Sequence, residues 1–156
     1  IDAVRRGRRQ EFASFKTELE PPDPQSQKTY NCSKLDWNKR YSGENSTMLA
    51  FYKTLINLRK STNAINNCDN KDVRVSILEQ SVLQIERWSN NNRILMFLNF
   101  KQASRNLRTS LAGNWRKIMD SQDEIWGGLK TQMPQKIAGQ NQICIGGFNV
   151  AVYEQF

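Results

Sequence analysis

The side chains best suited to contact a sugar or a carboxylate lie among the first forty residues. Arg5 and Arg9 fall on one side of a predicted short helix, where guanidinium groups can donate paired hydrogen bonds. Asp36 stands directly before Trp37, and an aromatic ring beside a carboxylate suits the binding of a sugar. These four residues are the candidate substrate-binding residues. A plainer interpretation stays open, in which the arginines form a packing or solvated face, Trp37 anchors a loop and Asp36 caps a turn.

No group in the sequence is arranged for catalysis or for binding a metal. The chain has no histidine, which excludes a His-assisted serine or cysteine nucleophile within it. Cys32, Cys68 and Cys144 are far apart and lack the spacing of metal ligands. We therefore predict no catalytic residue, no metal and no cofactor in this chain. Three free thiols are typical of a reducing compartment, which indicates a cytoplasmic location.

The net charge of +8 raises the question of a nucleic-acid partner. The charge is spread along the chain, and the one dense basic run is Arg5 to Arg9. No helix carries a basic stripe interleaved with aromatic residues, so nucleic-acid binding is not predicted. No apolar run approaches the ~20 residues of a membrane helix, and a membrane partner is not predicted either.

The elements that must position the candidate residues are predicted from periodicity. A charged helix is expected from Asp2, as its N-cap, to about Phe15, followed by a loop over residues 16–45. An amphipathic helix is expected over residues 46–60, capped by Ser46. Residues 63–71, rich in asparagine, indicate a turn region and a boundary.

After this boundary the pattern changes to that of strands. Residues 73–78, 82–88 and 94–100 are predicted to form three hairpin-linked antiparallel strands, of which the third is central because it is apolar throughout. A last strand is expected over 148–153, with Phe148 on its apolar face. The layout between 102 and 142 stays open. Weak strand patterns occur at residues 107–111, 115–119, 125–129 and 143–145, and the polar segment 132–142 is predicted to be a loop.

Several segments together resemble one enzyme family. The first is AVRRGRRQEFASF, from Ala3 to Phe15, and the next two are Pro22 to Gln25 and Ser33 to Trp37. With the helix over 46–60, their order and approximate spacing are similar to those of maltooligosyltrehalose trehalohydrolases, which belong to the alpha-amylase superfamily of glycoside hydrolases. VLQIERW, RILMFLNFK and the final IGGFNVAVYE resemble strands of the small β-domain that follows the barrel in that superfamily.

The resemblance implies an α+β chain in two parts. Residues 1–62 correspond to the end of a (β/α)8 barrel, with a helix, a long loop and the last barrel helix, and residues 72–156 to a C-terminal antiparallel β-sandwich domain. The catalytic carboxylates belong to a barrel that the chain lacks. The implied reaction is hydrolysis of the α-1,4 bond beside the trehalose end of maltooligosyl-trehalose, a step of trehalose biosynthesis, and the chain alone is expected to be non-catalytic.

The resemblance also implies partners. They are the barrel of the parent chain, possible contact with maltooligosaccharide, and self-association through a barrel-facing surface left exposed. Two alternatives stay open. The chain could be a stand-alone glucan-binding β-module, with Trp88, Trp115 and Trp126 as stacking platforms. It could also be the same region of another alpha-amylase relative, such as a glycogen branching enzyme.

Overall fold

The computed structural model describes residues 2–15, 21–66, 69–130 and 132–156. The chain divides into two compact units, residues 1–39 and residues 40–156. The first contains two short helices, and the second contains a longer helix and all the strands. The α+β class expected from the sequence is confirmed.

Residues 1–39 contain helix α1, Asp2–Ser14, and helix α2, Gln27–Ser33. Local polar contacts stabilise both: Arg8 pairs with Glu11 one turn later at 2.8 Å, and Ser26 Oγ accepts a hydrogen bond from Lys28 N at the start of α2. Neither helix has a buried residue. Their stability therefore owes little to an apolar core.

The prediction of an irregular loop over residues 16–45 was wrong for its described part. It contains α2 and a 3-10 turn over Trp37–Tyr41, while residues 16–20 lie outside the described residues. The sequence of α2 is QKTYNCS, which has no apolar period to indicate a helix. A side-chain cap, rather than a buried face, marks where it begins.

Helix α3, Gly43–Ser61, is the long helix predicted for residues 46–60. It begins three residues earlier than expected, and Ser42, which makes no side-chain capping bond, precedes it. Ser46 is thus not the cap: its hydroxyl donates to the carbonyl of Gly43 within the first turn. The short helix α4, Asn63–Asn66, and a 3-10 turn over Asn70–Asp72 follow in the predicted turn region.

The six strands form one curled antiparallel sheet in the order β1-β2-β3-β6-β4-β5. The three predicted hairpin strands are confirmed as β1, Val73–Leu78, β2, Val82–Ser89, and β3, Asn92–Asn99. The predicted central strand β3 lies between β2 and β6, Asn149–Gln155. Phe148 is not on the inner face of β6, because it precedes the strand in a turn and is exposed.

The region left open by the sequence is a long hairpin. β4 runs over Arg105–Asp120 and pairs with β5, Lys136–Ile145, so two of the weak strand patterns belong to one strand. A register shift at Gly113, which has φ +83°, accommodates extra residues and keeps Leu111 and Trp115 both buried. The loop predicted over 132–142 was therefore wrong from residue 136 onwards. The strand predicted over 125–129 was also wrong, since Glu124–Trp126 is a 3-10 turn.

The two faces of the sheet pack in different ways. One face curls around the main core, which contains Leu95 and Phe97 of β3 together with Trp115 and Tyr153. The other face carries Ile94, which packs with α3 and α4. Because successive residues of a strand point to opposite faces, β3 contributes to both cores. Three side chains of α3 pack against this second core: Phe51, Leu55 and Leu58.

Candidate functional site

Arg5 makes the most specific polar contact of residues 1–39. Its guanidinium group donates from Nε to Oδ1 of Asp23 at 3.0 Å and from Nη2 to Oδ2 at 2.8 Å, a paired, two-point contact. Asp23 Oδ1 also accepts a hydrogen bond from the backbone N–H of Gln25. The pair thereby joins α1 to the Pro-Asp-Pro segment, two motifs that the sequence singled out separately.

The charges of this pair stabilise one another. The hydrogen bond from Arg5 is the main reason why the pKa of Asp23 lies below its ordinary value, and the bond from the Gln25 N–H is the second. The same contact raises the pKa of Arg5. Both side chains are 40% exposed, so the interaction is screened by solvent and serves mainly to fix geometry.

Arg5 and Arg9 line one open depression of about 460 Å³. Its other lining residues are Arg8, Pro21, Pro22, Asp23 and Pro24. Arg8 is engaged with Glu11 and lies over the ring of Phe12, while Asp23 neutralises Arg5. The depression is thus a cationic surface, already partly neutralised by residues of the same unit.

The structure does not bring Asp36 and Trp37 to this depression. Asp36 Oδ1 accepts a hydrogen bond from the N–H of Asn38 at 3.1 Å, and its carbonyl accepts one from Lys39. This is the turn-capping role that the plainer interpretation gave to Asp36. Trp37 begins the following 3-10 turn and is 66% exposed. Its ring is accessible to a partner or a ligand.

A cluster of charges that the sequence reasoning missed lies inside residues 40–156. The ammonium group of Lys117 is 3.2 Å from Asp120 Oδ2 and 3.8 Å from Asp123 Oδ1, and donates to the carbonyl of Met133 at 3.1 Å. The side chains of Lys117 and Asp120 are 3% and 0% exposed. A signal for it was present in β4, where Lys117 stands two residues after the buried Trp115 and therefore on the same, inward face of the strand.

This cluster is structural rather than catalytic. Asp120 is fully buried and also accepts the Gln122 N–H, so no substrate can reach it. Burial raises the pKa of Asp123, with Lys117 opposing that shift and Asp120 adding to it. Burial likewise raises the pKa of Tyr153, whose hydroxyl donates to the Pro134 carbonyl at 2.8 Å.

The tryptophans proposed as stacking platforms have structural contacts. Trp115 is 2% exposed within the main core and donates to the Ala112 carbonyl. Trp126 packs edge-on against Phe51 at a centroid distance of 5.4 Å. Trp88 is half-buried, with the guanidinium carbon of Arg74 6.0 Å from the centre of its ring. The core interpretation that the sequence left open is thus the correct one for Trp115.

The described residues contain no group of three or more metal-ligating side chains of the His, Cys, Asp and Glu types. Cys32 and Cys144 are free thiols, and Cys68 lies outside the described residues. Within the described part of the chain no helix is both long enough and apolar enough to cross a membrane.

One face of strands β1 to β3 presents apolar side chains that the described residues of 40–156 do not cover completely. Val75 and Ile77 are 55% and 67% exposed, and the register places Leu83 beside Ile77 and Ile85 beside Val75. Leu98 pairs with Leu83 on the next strand. We call these five residues the apolar sheet surface. Leu83, Ile85 and Leu98 are half-buried.

Helix α3 presents a second exposed apolar row. Met48, Tyr52 and Ile56 recur every fourth residue, so they share one side of the helix, and each is more than half exposed. We call these residues the α3 stripe. Phe51 and Leu55, which pack on the sheet, lie beside this row, so the α3 stripe forms the exposed margin of the packed face.

Comparison with known proteins shows that the strand-forming part of the chain matches the model of one protein family. The family described as "Alpha amylase, C-terminal all-beta domain" matches residues 75–155, which is more than half of the chain. Two solved structures share the fold. An alpha amylase structure from Salmonella typhimurium gives a TM-score of 0.67 at 22% identity over 99% of this chain and 24% of that one. The alpha-amylase from H.orenii gives 0.59 at 15% identity over 89% and 26%.

Sequence relatives are also similar over part of the chain. The malto-oligosyltrehalose trehalohydrolase of Deinococcus radiodurans is 37% identical over 67 residues, 42% of this chain and 11% of that protein. The protein of the same name from Rhizobium sp. (strain M-11) is 46% identical over 41 residues, 26% of this chain and 7% of that protein. The matches therefore span about a tenth, or less, of the length of these curated relatives.

Proposed function

Because the chain belongs to the family of alpha-amylase C-terminal all-beta domains, we propose that it is the non-catalytic C-terminal part of a trehalohydrolase. In this proposal residues 1–62 complete a (β/α)8 barrel and residues 72–156 form the domain that packs on it. The barrel hydrolyses the α-1,4 bond beside the trehalose end of maltooligosyl-trehalose. Its two carboxyl groups, about 5–5.5 Å apart in a retaining enzyme, lie on the barrel and not in this chain.

The observation that carries the proposal is the apolar sheet surface. Five aliphatic side chains on adjacent strands form one continuous apolar area, with Val75 and Ile77 more than half exposed. Monomeric proteins expose isolated apolar residues, whereas contiguous areas mark an interface. A docked barrel is the occupant that fits, since the solved structures with this fold are about four times as long as this chain.

The α3 stripe supports the same occupant. The apolar arc of α3 is wider than the part that the sheet covers, because Met48, Tyr52 and Ile56 extend it beside Phe51 and Leu55. One side of α3 packs against the sheet through Phe51 and Leu55, and Met48, Tyr52 and Ile56 are free to pack against a barrel. This arrangement is what a last barrel helix requires.

The candidate residues of the first unit take supporting roles in this proposal. Arg5 fixes the Pro-Asp-Pro segment through Asp23. Arg9 lines the same depression and Trp37 is 66% exposed, and the proposal includes contact of these two side chains with a barrel or a bound maltooligosaccharide. Asp36 shapes the turn that presents Trp37. A cytoplasmic location and a place in trehalose biosynthesis belong to the same proposal.

A pair of matched substitutions tests the apolar sheet surface. Ile77 and Ile125 are almost equally exposed, at 67% and 69%, but only Ile77 belongs to that surface. We expect Ile77→Asp to lower the fluorescence of a bound hydrophobic dye and to suppress concentration-dependent self-association in sedimentation velocity. Ile125→Asp is the control and should change neither. Equal effects of the two substitutions would contradict the docking role.

Two further observations test the rest of the proposal. The purified chain should release neither trehalose nor glucose from maltooligosyl-trehalose. Turnover that disappears when one of its own carboxylates is replaced would overturn the proposal. The protein sequence encoded upstream of Ile1 should include a segment similar to Met-Gly-Glu-Glu at the end of a barrel strand. The three carboxylate motifs of the family should precede it.

A further inference from the structure

A second depression, of about 430 Å³, lies within the β-domain, apart from the apolar sheet surface. Three stretches of chain form its walls: the loop after β3, the segment between β4 and β5, and the turn before β6. Its volume falls within the ~300–1,000 Å³ of small-molecule sites. The described residues that line it are Gln102, Ser104, Gln122, Leu129, Lys130, Gln132, Gly146, Gly147, Phe148 and Asn149.

The walls are held by close backbone contacts that only glycine permits. A Cβ atom on Gly147 would lie 1.8 Å from the carbonyl oxygen of Gln102, and one on Gly128 would lie 2.2 Å from that of Gln122. The N–H of Phe148 also donates to the Lys101 carbonyl at 2.9 Å. The depression is therefore a preformed feature of the fold, because its walls touch through main-chain atoms.

The polar groups in the lining are neutral, with one exception. Gln102 carries an amide with a donor and an acceptor, and Ser104 adds a hydroxyl. The amide of Gln122 already donates to the Gly147 and Phe148 carbonyls and accepts from the Leu129 N–H, and Oε1 of Gln132 accepts from the Cys144 thiol, so these two side chains mainly hold the walls together. Lys130 is the single charged residue among the lining residues, and none of them is acidic. Groups that donate and accept in equal measure match the hydroxyls of a sugar, which do both.

Phe148 supplies an aromatic ring at the same place. Its backbone has φ +46°, a left-handed conformation that is unfavourable for a residue with a bulky side chain, and its side chain is 65% exposed. The ring thus gains little from burial within the chain. An exposed ring beside amide groups is suited to stack against the apolar face of a pyranose.

Asn149 supports the depression from behind rather than facing a ligand. The residue is fully buried, its Oδ1 accepts a hydrogen bond from the Ser121 hydroxyl, and the N–H of Val150 donates to the same Ser121 oxygen. Its Nδ2 is itself buried, so a ligand in the depression would not touch it. The contacts of Asn149 therefore fix the start of β6, directly after Phe148.

From these observations we infer that this depression is a binding site for a neutral oligosaccharide on the β-domain. The inference extends the proposed function, on which the choice of an α-1,4-linked glucan as probe rests. The sugar would stack on Phe148 and form hydrogen bonds with Gln102 and Ser104, beside the engaged amide of Gln122. Such a site would hold a glucan chain away from the reaction centre of the barrel.

The test is a two-dimensional NMR titration of the protein with maltotetraose. We expect saturable shifts at the side-chain amides of Gln102 and Gln122 and at the backbone of Gly147. Phe148→Ala should weaken binding roughly fivefold, the value of one aromatic contact. Phe100→Ala is the matched control, because Phe100 is 60% exposed and stands two residues before Gln102 but is not among the residues that line the depression. It should leave the affinity unchanged.

Three outcomes would overturn the inference. They are the absence of shifts up to millimolar maltotetraose, equal losses in Phe148→Ala and Phe100→Ala, and shifts of these resonances by inorganic phosphate but not by the sugar. The last result would assign the site to an anion on Lys130. Ile77→Asp distinguishes this inference from the proposed function: it should abolish docking without altering the titration. Failure of either experiment therefore leaves the other interpretable.

Discussion

Residues 2–39 and residues 40–156 are stabilised by different kinds of interaction. In the first unit, α1 and α2 have no buried residue, and the most specific contact is the Arg5–Asp23 pair, which is 40% exposed on both sides. In the second unit, a core that includes Trp115 and Phe97 fills the curled sheet, and even an ion pair, Lys117–Asp120, is buried.

This difference bears on function. A segment held by exposed polar contacts gains stability by packing on another body, whereas a segment with its own core can fold first and present a surface. The first unit thus has the character of a segment that another domain would stabilise, and the second has the character of a domain that folds around its own core. Even this domain leaves apolar residues of the sheet exposed, namely Val75 and Ile77 of the apolar sheet surface.

The largest expected contrast is between two tryptophans. Trp115→Ala should lower the free energy of unfolding by about 3–5 kcal/mol, because it empties a space in the main core. Trp37→Ala, in the first unit, should change it by less than about 0.5 kcal/mol, since Trp37 is 66% exposed. Urea unfolding followed by circular dichroism measures both. A comparable loss in the two variants would show that Trp37 belongs to a core.

A smaller contrast is expected between the two ion pairs. Lys117→Met leaves Asp120 buried without its cation and should cost about 3 kcal/mol, the lower end of the usual range because the Gln122 N–H still donates to Asp120. Arg5→Met removes the exposed contact to Asp23 and should leave the urea midpoint almost unchanged. The double variant Lys117→Met with Asp120→Asn should recover part of the loss. If Arg5→Met lowered the free energy of unfolding as much as Lys117→Met, the difference expected between the exposed and the buried ion pair would be wrong.

The smallest contrast concerns two aspartates whose pKa values move in opposite directions. Folding lowers the pKa of Asp23, so its stabilising contribution is present above the ordinary value of 3.8 and is lost as the pH falls through the lowered value. Folding raises the pKa of Asp123, so its contribution is complete below 3.8 and is lost as the pH rises through the raised value.

Carbon-detected NMR of the carboxyl groups should give one midpoint below 3.8, for Asp23, and one above it, for Asp123. Asp123→Asn should remove the decline of stability just above pH 3.8, whereas Asp23→Asn should not. Midpoints in the reverse order would contradict the geometry of both sites.

The sequence predicted those elements whose burial follows a simple period. The hairpins of β1 to β3 and the helix α3 have such a period, and both were found within three residues of their predicted ends. β5 escaped prediction because its outward residues, such as Gln140 and Gln142, are polar and its bend at Gly139 interrupts the alternation. α2 escaped because a cap, and not an apolar face, defines it.

The sites were less predictable than the fold. Arg5 could be identified as a candidate, but its partner Asp23 lies 18 residues away, and only the folded chain brings the two together. The depression beside Phe148 combines three separate stretches of chain, none of which is distinctive by itself. A site assembled from distant segments leaves no local spacing in the sequence.

The sequence by itself determined the elements with a simple apolar period, α3 and β1 to β3, and the absence of histidine chemistry, because periodicity and composition are local properties. The tertiary structure decided which faces are covered and which are left open. Lys117 is buried because Asp120, Asp123 and the Met133 carbonyl surround it, and Ile77 is exposed because no described element of residues 40–156 packs over it. Burial depends on what lies opposite a residue, and that is fixed only when distant segments pack together.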